Sequence, residues 1–121
     1  MNSELYDKCM NAMEKYLRMR DWNILERNWN EEAPINFVAQ TKDEDGELST
    51  GFFMAVINEN DDYEFKTTKV TRDQAEKFFI HYVAKHPATD SCHIGFHEIS
   101  MSIVGNNRAA LRLHTNIFNI D

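Results

Sequence analysis

The sequence predicts an α/β domain: a mixed β-sheet with helices packed against it, in the order α-β-β-β-α-β-β. Three observations carry this reading. Segments 3–20 and 71–86 repeat apolar residues at three- and four-residue steps, the period of a helix with one buried stripe. Five shorter apolar segments are bounded by turn residues, as strands are. One of them, GFFMAVIN (51–58), is apolar almost without a break, which suits a strand buried on both faces.

In the first helix, Leu5, Cys9, Ala12, Met13, Tyr16 and Leu17 form the stripe. Ser3 is the expected N-cap, and Arg18 and Arg20 suit the negative end of the helix dipole. A strand follows around Trp22 to Arg27, within WNILERNW. A second, INFVAQ (35–40), leads into an Asp45-Gly46 hairpin signal and the 51–58 strand. The polar stretch 58–69 reads as a loop. In the second helix, Thr71 and Gln74 match a capping box, and Ala75, Phe78, Phe79, Tyr82 and Val83 are its buried stripe. His86-Pro87 ends it. After a loop (ATDS), segments 92–105 and 109–118 read as strands joined by a Gly105-Asn106-Asn107 turn. No repeat or composition break divides the chain, so 1–121 reads as a single domain.

Charge bounds the function. Thirteen Lys and Arg against 20 Asp and Glu leave a formal net charge of −7. Phosphate-driven binding needs clustered cations, so this balance argues against a strongly electrostatic nucleic-acid binder. Two cysteines, Cys9 and Cys92, are too few for a disulfide framework. No apolar run nears the ~20 residues that span a bilayer. The opening, MNSELYDKCMNAMEKYL, lacks the apolar segment of a signal peptide. The expectation is a cytoplasmic domain with no membrane partner.

Four motifs in order resemble a known family. KYLRMRDWNILERNWN (15–30) resembles the opening of the YraN-like endonucleases, where Y-L-x-x-x-G-[WY]-x-I-L-x-R-N-[WY] follows an N-terminal helix. HYVAKHP (81–87) is similar to the family's Y-L-x-x-H-P helix end. Cys92 stands where the family opens a C-R-F-D-V-like strand, and HTNIFN (114–119) resembles its terminal N-A-F motif. The resemblance covers almost the whole chain. It implies a restriction-endonuclease-like mixed sheet flanked by helices, related to Holliday-junction resolvases. Active members hold Mg²⁺ with an acid from the first helix, an Asp on one strand and the Glu of a Glu-x-Lys strand. Carboxylate oxygens suit that ion, and the metal-activated water attacks the phosphodiester.

The chain departs from this pattern at each position. Against G-E-I-D-L-I-A it carries Ala33 to Ala39, with Asn36 at the metal-binding Asp. Against F-V-E-V-K it carries Phe53 to Ile57, with Ala55 for Glu and Ile57 for Lys. The helix acid falls near Cys9 and Met10. An amide is a poor ligand for a hard dication, and Ala and Ile are none. The inherited site is therefore expected to be lost, with no cofactor.

Other candidates are weighed on chemistry. Ala55, Ile57 and Glu59 share a strand face if the strand runs that far. Glu59 with Asp61 or Asp62, and Glu32 ahead of the Asn36 strand, form a relocated carboxylate set for Mg²⁺ or Mn²⁺. The plainer reading is a solvated acidic loop. His93 and His97 sit about 13 Å apart along one strand, too far for one metal, and His97 reads as surface or edge chemistry. His81, His86 and His114 show no zinc spacing. Lys66, Lys69, Arg72 and Lys77 form a basic cluster that would contact phosphates, although Glu64, Asp73 and Glu76 interleave with it. Arg18, Arg20 and Arg27 form a looser group. Trp22 is expected beside the helix end in the core, and Trp29 as the more exposed aromatic. Met10, Met13 and Met19 offer adaptable apolar surface for a partner or a homodimer. The expected function is a non-catalytic nuclease-fold module that binds a protein or, more weakly, nucleic acid. The alternatives are a metal-dependent nuclease on relocated ligands and a purely protein-interaction domain.

Overall fold

The first apolar stripe folds as α1 (Ser3–Met19), which buries Tyr6, Cys9, Met10, Met13 and Leu17. The computed structural model describes residues 2–59, 68–105 and 108–118. Asn2, not Ser3, is the N-cap: its side-chain oxygen accepts a hydrogen bond from Leu5 N at 2.7 Å. Ala12 is exposed rather than part of the stripe. It lies one residue, about 100° of rotation, from Met13, at the centre of the buried face. Met10 and Met13 are fully buried and only Met19 is exposed, at 76%. The methionine-bearing surface expected to meet a partner is therefore core. At the helix end, Trp22 N donates to Leu17 O and Asp21 N to Arg18 O, both at 3.1 Å. That pair is a Schellman motif, with Asp21 in the left-handed position at φ 67°.

Five strands follow: β1 (Asn23–Arg27), β2 (Phe37–Lys42), β3 (Leu48–Asn58), β4 (His93–Ile103) and β5 (Ala109–His114). They form one sheet in the order β1-β2-β3-β4-β5. The β3–β4 pair is parallel and the other three are antiparallel. The parallel pair needs a crossover, which α2 (Arg72–Lys85) supplies. The capping box is present in full: Thr71 Oγ1 accepts from Gln74 N and Gln74 Oε1 from Thr71 N. A short 3₁₀ helix (Pro87–Ser91) occupies the stretch the sequence assigns to a loop.

Strand ends differ from the sequence reading for identifiable reasons. β3 starts at Leu48 because Asp43 and Glu47 close the hairpin early, with Gly46 at φ 80°. β2 starts at Phe37, so Asn36 lies just ahead of it. β5 stops at His114 rather than continuing to 118, because Asn116 takes φ 55° and turns the chain. In the β4–β5 turn, Asn106 and Asn107 lie outside the described residues, as do 60–67 of the polar loop.

The sheet separates two apolar layers. Phe37, Ala39, Phe53, Ile99 and Met101 face α1. Val38, Phe52, Met54 and Phe96 face α2. Alternation along β3 sends Phe52 and Phe53 to opposite faces, so this central strand is buried on both. Phe52 meets Phe78, Phe79 and Tyr82 of α2 edge to face at 6.1, 5.7 and 5.5 Å. The architecture is a five-stranded mixed sheet between two helices.

Candidate functional site

The second half of β3 forms one wall of an open cleft of about 450 Å³. Tyr6 of α1, the segment 31–33 and the segment 68–70 close the other sides. Asn36, Ala55 and Ile57 line this cleft, together with Glu32 and Lys69. Three of the four positions that the motif resemblance aligns with nuclease residues are thus brought together. The fourth, Met10, is fully buried in the core.

Asn36 is 4% exposed, and its side chain is committed on both ends. Nδ2 donates to Asn28 O at 2.9 Å and to Asn30 O at 3.3 Å. Oδ1 accepts from Ala55 N at 2.9 Å. The backbone adds Asn36 N to Phe53 O at 2.8 Å and Asn28 N to Asn36 O at 2.7 Å. The amide therefore pins the β1–β2 connection to β3. A carboxylate here would face two carbonyl oxygens with no proton to offer. Ala55 and Ile57 pack against the α1-side core. The residues present do not fit a hard dication.

The other described candidates form no metal-ligand cluster. Glu32 is exposed at the rim of the cleft. Glu59 is exposed one residue beyond β3. It acts on Cys9, whose thiol is pushed up by burial and then by Glu59, against Lys8. Asp61, Asp62 and Lys66 lie outside the described residues. Among the described residues, no three His, Cys, Asp or Glu gather as metal ligands would. Of the basic cluster, Lys69 lines the cleft, Arg72 is bonded to Glu76 at 2.8 Å and Lys77 is exposed on α2. In the looser group, Arg18 and Arg27 share Glu14 at 3.4 and 2.9 Å, and Arg20 lies over the Tyr16 ring.

One expectation about rings needs correction. His97 is not surface chemistry: it is 6% exposed, against Trp22 and Phe53. Nδ1 accepts from Asn116 N at 2.9 Å, and burial pushes its pKa down to about 4. Trp29 is half-buried against the α1-side core, with the Arg27 guanidinium 5.3 Å above its ring. Its indole N–H is buried and has no partner among the described residues. Trp22 packs against the core as expected, edge-on to Phe53 at 4.9 Å.

Sequence reasoning missed Glu98. This carboxylate is 2% exposed on β4. It accepts from Thr68 N at 2.7 Å and Ser100 Oγ at 2.9 Å, and Arg112 lies 3.9 Å away. It ties the entry of α2 to the sheet. The available signal was the polar alternation Glu98, Ser100, Ser102 inside an apolar segment.

No helix among the described residues is long and apolar enough to cross a membrane. No family model and no curated protein matches the chain.

Proposed function

We propose that the chain is a non-catalytic relative of the YraN-like nucleases, a restriction-endonuclease-like domain working as a binding or regulatory module. The observation that carries this reading is Asn36, whose amide is spent on protein groups where a nuclease would hold its metal. Ala55 and Ile57 beside it support the same reading. So do the element order and the mixed sheet, which are those the resemblance implies. Asp21 adds support: it holds a left-handed conformation where the family motif carries glycine. A protein partner is favoured over nucleic acid, because Glu31 and Glu32 outnumber Lys69 at the cleft and Arg72 is paired to Glu76.

The competing reading is a metal-dependent nuclease with ligands from Glu32, Glu59 and Asp61. Glu32 at the cleft is the observation in its favour. Calorimetric titration with Mn²⁺ separates the two. The proposal expects no saturable binding; a site lost in a Glu32→Ala, Glu59→Ala variant would replace it with the nuclease reading.

A further inference from the structure

We propose that His97 works as a proton-operated latch: a proton taken up at Nδ1 breaks its bond to the Asn116 backbone and releases segment 116–118 from the edge of β4.

The polarity of that bond is the first observation. Asn116 N donates to His97 Nδ1 at 2.9 Å. A backbone N–H only donates, so Nδ1 keeps its lone pair while the bond exists. A proton at Nδ1 would set two donors against each other. The contact therefore survives only while that nitrogen is bare.

The placement of the segment is the second. β5 pairs with β4 over 98–103 and stops at His114. Asn116 then takes φ 55° and turns the chain across the part of β4 that β5 leaves uncovered. There Ile117 N donates to Phe96 O at 2.9 Å, and the Phe118 ring lies 6.1 Å from that of Phe96. Thr115 and Asn116 are exposed, and Ile117 and Phe118 are half-buried on the α2-side layer. A segment with so few contacts opens without unfolding the sheet. Its release admits water to Nδ1 and uncovers the Phe96 carbonyl and ring.

The surroundings of the ring are the third. Trp22, Phe53, Gly51, Gly95 and Asn116 pack around it, and none of them titrates. From α1, on the same side of the sheet, the inner titratable groups are Tyr6 and Cys9, both pushed up by burial and so neutral in acid. Arg20 and Asp21 precede Trp22, and Arg20 lies over the Tyr16 ring. His93, four residues away on the same face of β4, is bonded to Glu47 at 2.8 Å. Glu98 and His114 are register partners on the other face. Among the described residues no charged group bonds to the imidazole. A proton held there while the segment is docked has nothing to offset it, and burial pushes the pKa down to about 4. Opening removes that penalty, so acid drives the latch open.

The test is native-state amide exchange on the full ¹⁵N-labelled chain, from pH 7 to pH 4, with the intrinsic pH dependence divided out. Protection at Asn116 and Ile117 should fall about tenfold per pH unit below 6.5. The fall should reach at most about 300-fold by pH 4. At each pH these two amides should exchange faster than Ile99 and Met101. They should also ignore low urea, which hastens exchange in the core. His97→Gln offers an acceptor oxygen that takes no proton in this range, and it should make the protection flat with pH. The wild-type series decides the matter even where this variant does not fold. The proposal is overturned by protection that ignores pH, or by exchange at 116 and 117 that matches Ile99 and Met101 in rate and urea dependence. An unchanged pH dependence in a folded His97→Gln also overturns it.

Discussion

The side-chain oxygen of Asn36 accepts a hydrogen bond from the backbone N–H of Ala55 at 2.9 Å, joining two positions at which an active nuclease of this pattern carries acids. The bond alone would be compatible with a carboxylate. The other end of the amide decides otherwise, because Nδ2 donates to two carbonyls of the β1–β2 connection. An aspartate supplies no donor to them.

Restoring the acid should therefore harm the fold. Asn36→Asp leaves Asn28 O and Asn30 O without their donor and sets a charge against them. We expect a loss of about 1–3 kcal/mol in urea unfolding at neutral pH. Acidification should recover part of it, because a protonated carboxyl can donate to one carbonyl. An unchanged midpoint would show that the clip contributes nothing.

His97 should leave a mark on the pH dependence of stability. Its folded pKa is near 4, against about 6.5 for an unfolded histidine. Above pH 6.5 both states are neutral and the full stability is present. As pH falls from 6.5 towards 4, the unfolded chain binds a proton that the folded chain refuses. Stability then declines, by at most about 3 kcal/mol, and this contribution levels off below pH 4. His97→Phe should flatten that part of the profile, whatever it does to stability at neutral pH. Identical profiles for both proteins would place the ring in water.

The His97 ring lies over a patch cleared by two glycines. Gly51 and Gly95 face each other across the parallel β3–β4 pair, as do Phe53 and His97. A Cβ on Gly95 would sit 2.6 Å from His97 Cε1 and 3.0 Å from Asn116 Oδ1. One on Gly51 would sit 2.7 Å from Phe53 Cε1 and 3.0 Å from Trp22 Cζ3. Alanine at either position should cost about 1–3 kcal/mol through overpacking, read as a lower thermal midpoint. Gly46, whose Cβ would meet nothing within 4 Å, is limited only by its positive φ.

Glu98 should hold the entry of α2. Glu98→Ala strands the Thr68 N–H and the Ser100 hydroxyl, at a cost of about 2 kcal/mol or more. Glu98→Gln keeps one acceptor oxygen and should cost less. Amide exchange at Thr68 gives the local readout, and it should quicken in both variants, most in alanine. Unaltered exchange would rule out the tether.

Local signals in the sequence carried well. The apolar stripes located both helices, and Thr71 with Gln74 marked the start of α2 because a capping box involves only neighbours. Features set by distant partners did not carry. The end of β5 depends on Asn116 meeting His97, and the start of β2 on Asn36 meeting Phe53. His97 looked peripheral because its burial needs the β3–β4 register, which no short window contains. The motif resemblance singled out Asn36, Ala55 and Ile57, and the structure places these three at one cleft. The clip at Asn36 was not legible, since its partners are backbone groups, and backbone groups carry no residue signature.

The central claim is that the nuclease chemistry is gone, and cleavage tests it most directly. Single-stranded, duplex and branched DNA, together with RNA, would be incubated with the purified chain and Mn²⁺, then with EDTA. The account predicts intact substrates in every lane. Cleavage that needs Mn²⁺, stops with EDTA and is lost in Glu32→Ala or Glu59→Ala would contradict it and place a working metal site on relocated carboxylates.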